Sequence, residues 1–121
     1  QEQQALEDLG TGWVKVVWVK GAFGNPNDTP TVATPILFYT NPKLSEYTVY
    51  TLVKTMFDHL KEFQSSQKAA EGFTLENALL VFAFPYHTGA IKYFKEIGIW
   101  TKEHDTKQQK AEDEWKKILG G

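Results

Sequence analysis

Residues 45–67 read Ser45-Glu46-Tyr47-Thr48-Val49-Tyr50-Thr51-Leu52-Val53-Lys54-Thr55-Met56-Phe57-Asp58-His59-Leu60-Lys61-Glu62-Phe63-Gln64-Ser65-Ser66-Gln67. Val49, Leu52, Val53, Met56, Phe57, Leu60 and Phe63 recur at the helical period and make one apolar stripe. Thr51, Lys54, Asp58 and Lys61 fill the opposite face. Ser45 has the side chain of an N-cap, and Glu46 suits the positive end of the helix dipole. The spacing predicts one long helix that must lay its stripe on something else.

The C-terminal half of the chain offers that partner. Thr74 is placed to cap a short helix over Leu75–Phe82, which Pro85 interrupts. His87–Ile97 reads as a second amphipathic helix, with Ala90, Ile91, Phe94 and Ile97 on one face and Gly98 as its stop. Thr101 is placed to cap a last helix over 102–119. Its first half is almost wholly polar, and its stripe is Ala111, Trp115, Ile118 and Leu119, so it docks through Trp115.

Upstream the period changes to two. Trp13–Lys20 reads as a strand with both faces largely apolar, which predicts cover on both sides. Gly21–Pro30 is a turn segment dense in Gly, Pro and Asn, with Phe23 its one bulky apolar residue. Thr31–Thr40 reads as a second strand, in which Pro35 argues for an edge strand, a bend or a strand that changes partners. Gln1–Leu9 reads as a short helix or frayed end. The elements together predict an α/β or α+β fold in one domain over 1–121, with few strands and three to four helices.

Composition excludes several chemistries. The chain has 121 residues and a net charge of −2, 41% of its residues are hydrophobic, and it has no Cys. All 13 basic residues are Lys. Without Arg there is no planar fork for carboxylate or phosphate. Without Cys there is no disulfide, thiolate nucleophile or thiolate metal site. No apolar run reaches the ~18–20 residues of a membrane helix. The lysines of the C-terminal third are interleaved with Glu and Asp, which predicts a solvated helix surface and no nucleic-acid partner.

Residue clusters give no enzyme signature. Ser45, Ser65 and Ser66 lie at a helix start and a helix tail, away from any strand–turn–helix elbow. The Gly21–Gly24 turn lacks the pattern of a phosphate-binding loop. His59 and Glu62 have metal-ligand spacing but no third ligand, so they read as a solvated face. His104, between Glu103 and Asp105, reads as a surface residue. His87, at the junction of two helices, reads as a ring that caps backbone groups or reaches a cavity. The expectation is a non-enzyme with no metal and no cofactor.

Several stretches together resemble a known family. Thr74-Leu75-Glu76-Asn77-Ala78, followed by His87-Thr88-Gly89-Ala90-Ile91-Lys92-Tyr93-Phe94-Lys95-Glu96-Ile97-Gly98, resembles the C-terminal signature of the TAXI solute-binding proteins, which serve TRAP transporters. Val19-Lys20-Gly21-Ala22-Phe23-Gly24 resembles that family's glycine loop, Thr31–Pro35 its following strand, and Val49–Phe57 its helix. The likeness spans about residues 14–100. Thr88 stands where the family usually has Pro, and Phe23 where it has Tyr.

The resemblance implies a truncated lobe of a periplasmic-binding-protein-like fold. It also implies a periplasmic location with any leader already removed, and binding of small organic acids or amino acids without catalysis. The implied partners are a TRAP permease and a missing lobe or second copy that completes the cleft. The alternative is a small accessory subunit of a larger periplasmic or membrane-bound complex, which the four Trp would suit as interface anchors. Phe23, Thr31, Thr34, Tyr86 and His87 are the expected ligand or partner contacts.

Overall fold

The computed structural model describes residues 14–21 and 24–120. These form an α/β arrangement of one two-stranded sheet and four α-helices. The chain divides into two compact units, residues 1–38 and 39–121. The N-terminal segment Gln1–Leu9, Trp13 and Phe23 lie outside the described residues.

In the first unit, β1 (Val14–Trp18) pairs antiparallel with β2 (Thr29–Ala33), with Val14 opposite Ala33 and Trp18 opposite Thr29. The loop between them closes on itself. Gly21 N–H donates to Asn25 O at 2.8 Å, and Lys20 N–H donates to the Asp28 carboxylate at 2.7 Å. Gly21 and Gly24 take φ of +91° and +77°, which side chains with a Cβ rarely adopt.

β2 starts and ends earlier than its apolar pattern predicts. Pairing stops at Ala33, two residues before Pro35, which has no N–H to give a ladder. Pro30 is tolerated opposite Val17 because both strands of a two-stranded ribbon are edge strands. The expected cover on both faces of β1 is not found, for Val17 is 56% exposed and Trp18 47%.

In the second unit the long stripe becomes two helices, α1 (Glu46–Asp58) and α2 (Leu60–Ser65). Ser45 caps α1 as expected, its Oγ accepting from Thr48 N–H at 3.1 Å. His59, at φ −110° and ψ 27°, breaks the run without Gly or Pro, so the periodicity does not register the break. The bend lets Phe63 meet Phe73 edge to face, with ring centroids 5.3 Å apart. Leu52, expected on the stripe, is 55% exposed.

Thr74 Oγ1 does accept from Asn77 N–H at 3.1 Å. The helix expected over 75–82 contracts to a single 3-10 turn at Asn77–Leu79. Beyond it come α3 (Thr88–Glu96) and α4 (Lys102–Ile118). Gly98 follows α3 at φ +78°, and Ile99 and Trp100 N–H both donate to Phe94 O. This is the left-handed helix stop that the sequence predicts.

The core of this unit is Val49, Leu79, Ala90, Tyr93, Phe94 and Trp100, with Tyr50, Val53, Phe57, Phe82 and Tyr86 packed around it. It is an aromatic core. Phe57 stacks on Tyr93 at 5.8 Å, and Phe82 lies 5.9 Å from Trp100. Much of the aromatic content therefore does structural packing. Trp115 docks edge-on against Phe84 at 5.2 Å, as expected of the last helix. Ile118 and Leu119 do not complete its stripe, being 71% and 70% exposed.

Candidate functional site

The most constrained stretch of the helical unit is Tyr86–Gly89, where the irregular chain after Pro85 turns into α3. Tyr86 sits among Phe82, Phe94 and Trp100, at centroid distances of 4.9, 6.2 and 5.8 Å. Its hydroxyl donates to Ala78 O at 2.7 Å and shares the hydrogen with Val81 O at 2.9 Å. Burial pushes its pKa up to about 12. Tyr86 N–H donates to Gln108 Oε1 at 2.8 Å, and Gln108 Nε2 donates back to Tyr86 O at 3.0 Å. The second Nε2 hydrogen goes to Glu112 Oε1 at 2.8 Å.

His87 continues the junction. Its Nδ1 accepts from Gly89 N–H at 3.1 Å, which makes it the N-cap of α3. Its Nε2 lies 3.1 Å from Leu44 O. An Nδ1 that accepts leaves the hydrogen on Nε2, so Nε2 donates to Leu44 O. The ring thus ties the residue before the α1 cap to the first turn of α3.

Gly89 lets the two helices meet there. A Cβ at this position would lie 2.6 Å from Tyr50 N and 2.9 Å from Val49 Cβ, and would also collide with Glu46 O. The first turns of α1 and α3 are therefore side by side with backbone in contact. Lys92 Nζ and Glu46 Oε1 pair at 3.0 Å across the same seam, and Tyr50 donates to Glu96 at 2.7 Å. Beside the seam runs an open groove of about 460 Å³ lined by Glu46, Thr88, Ile91, Lys92 and Lys95. A second concavity, of about 660 Å³, follows the polar flank of α4 from Asp105 to Lys117, where Gln109 pairs with Asp113 and Lys110 with Glu114.

The structure brings Tyr86 and His87 together, with their polar atoms bonded within the chain. Thr31 is half-buried on β2, and Thr34 is exposed just past its end, both in the hairpin unit. Phe23 lies outside the described residues. His59 and Glu62 are 65% and 85% exposed, 3.6 Å apart, as a solvated face requires. His104 is less of a surface residue than expected. Its ring stacks on Phe82 at 5.9 Å, and its Nδ1 accepts from Thr101 N–H at 3.0 Å.

Sequence reading misses Gln108 and Gly89. A signal for Gln108 exists, since 104, 108, 111 and 115 share one helix face. A stripe counted by apolar residues alone passes over it. Among the described residues no helix is long and apolar enough to cross a membrane, and no three His, Asp or Glu converge as metal ligands.

No curated protein matches the chain. A family comparison does: residues 1–98, from the hairpin unit through α3 to Gly98, match the NMT1-like family. That is a periplasmic-binding-protein-like family, in keeping with the mixed α/β fold and with the extracytoplasmic solute binding typical of such proteins. The chain belongs to the NMT1-like family.

Proposed function

We propose that this chain is a TAXI-type solute-binding domain that takes small organic acids or amino acids in the periplasm and presents them to a TRAP permease, without catalysis. The observation that carries the reading is the family match over residues 1–98. The likeness of residues 74–98 to the TAXI signature supports its finer part. In this reading Phe23, Thr31, Thr34, Tyr86 and His87 are contact positions, and a further lobe or second copy encloses the ligand. An anion held by a chain without Arg relies on Lys, hydroxyl and backbone N–H groups. The groove beside α3 carries Thr88 together with Lys92 and Lys95, which an anion would have to draw from Glu46 and Asp105.

Thermal-shift titration with a panel of amino acids and mono- and dicarboxylates tests this. A concentration-dependent rise in melting temperature for one class, weakened at least tenfold by Lys92→Ala, is expected. No rise with any member at millimolar concentration contradicts it.

A second reading has its own support. In the hairpin unit Val17, Val19, Ile36 and Phe38 are 56%, 62%, 63% and 62% exposed. An apolar surface of that kind suits a partner protein. It favours a small accessory subunit of a larger periplasmic or membrane-bound complex.

A further inference from the structure

We propose that His87 is a proton-operated latch between the start of α1 and the start of α3. The latch rests on hydrogen-bond geometry and does not depend on solute binding. In the neutral ring Nε2 donates to Leu44 O and Nδ1 accepts from Gly89 N–H, both at 3.1 Å. Each nitrogen has one role, and the two roles are opposite.

Protonation makes Nδ1 a donor, which then faces the Gly89 donor. The α3 cap is lost. The new positive charge also stands at the positive end of α3, beside the equally positive end of α1. The charged groups nearest the junction along its elements are Lys43, next to Leu44, Glu46 of α1, Lys92 of α3 and, behind Gln108, Glu112 of α4. Glu46 is already paired with Lys92 at 3.0 Å, and Glu112 accepts from Gln108 at 2.8 Å. Neither carboxylate is left over to compensate an imidazolium. An imidazole changes charge between about pH 5 and 8, so mild acid opens the latch. Opening frees the junction at Tyr86–Gly89, where Gly89 permits no slack between the helices.

The test compares melting temperatures of the full chain and its His87→Asn variant at pH 7.5 and 5.5. Asn caps a helix at either pH. The parent is expected to lose about 5 °C more than the variant between the two conditions, the shift that loss of one cap gives in a domain of this size. His59 and His104 are the same in both proteins and cancel in the comparison. Equal losses overturn the proposal. If the variant does not fold, imidazole nitrogen NMR of the parent decides. A neutral His87 with its hydrogen on Nε2 at pH 7.5, moving to the doubly protonated form by pH 5.5, supports the latch. A hydrogen on Nδ1 at pH 7.5, or no change by pH 5.5, overturns it.

Discussion

The side-chain amide of Gln108 pairs with both backbone polar groups of Tyr86, across 22 residues of chain, at 2.8 and 3.0 Å. Gln108 is buried to 7% exposure and is the buried polar residue of the described chain. It anchors α4 to the segment that enters α3. Gln108→Ala leaves the Tyr86 N–H and C=O without partners inside the unit, at about 2–3 kcal/mol. Gln108→Glu is expected to be worse at neutral pH, since a carboxylate then faces Tyr86 O and Glu112. Urea unfolding of the three proteins measures both effects.

Gly89→Ala tests the seam between α1 and α3. Two of the colliding atoms are backbone, Glu46 O and Tyr50 N, and cannot rotate away. Overpacking of this kind costs about 1–3 kcal/mol. The expected result is a loss at the upper end of that range, although Ala is the better helix former. A neutral or stabilising result would show that the helices are not in backbone contact.

Tyr86 gives the unit an alkaline limit. Its hydroxyl ionises near 12 in the folded state against 10.0 for an ordinary tyrosine, because burial disfavours the phenolate. The stability it contributes is complete below pH 10 and is lost as pH rises through about 12, in all about 2–3 kcal/mol. Tyr86→Phe removes one tyrosine's share of the late amplitude from a phenolate absorbance titration. Tyr50 and Tyr93 are raised as well, Tyr50 chiefly by its bond to Glu96 and Tyr93 by burial, so they titrate late in both proteins. At neutral pH the variant forfeits the hydroxyl's bonds to Ala78 and Val81 O, about 1 kcal/mol.

Asp105 marks the acid side. The Trp100 indole donates to it at 2.8 Å and Lys95 lies 3.4 Å away, and these hold its carboxyl below the ordinary value of 3.8. A depressed carboxyl stabilises the fold above that value and ceases to as pH falls through the lowered one. Trp100 fluorescence should therefore change below pH 3.8, and Asp105→Asn should abolish that change. The same transition in the variant would assign it to another group.

How much of the fold is legible in the sequence depends on the kind of residue. The Ser45 cap, the Gly98 stop, the α3 face of Ala90 and Phe94, and the docking of Trp115 follow from local rules, and the structure has them. The break at His59 does not follow, because nothing in the residue type compels it. The early end of β2 fits Pro35, which cannot donate to a ladder, although the apolar run continues past it. His87 is legible as a ring capping backbone. Its second bond, to Leu44 O, joins residues 43 apart and is a tertiary fact. Gln108 is hidden by its polarity, and Gly89 by being one glycine in a helix that tolerates it.

Whether this NMT1-like chain carries a small solute is tested most directly by the native mass of the protein purified gently from its source. The expected mass includes a small-molecule adduct which leaves on denaturation, on this chain completed by a second copy or a further lobe. Co-migration at fixed stoichiometry with a much larger protein, with no such adduct, would contradict solute carriage and make this chain a subunit that holds its partner.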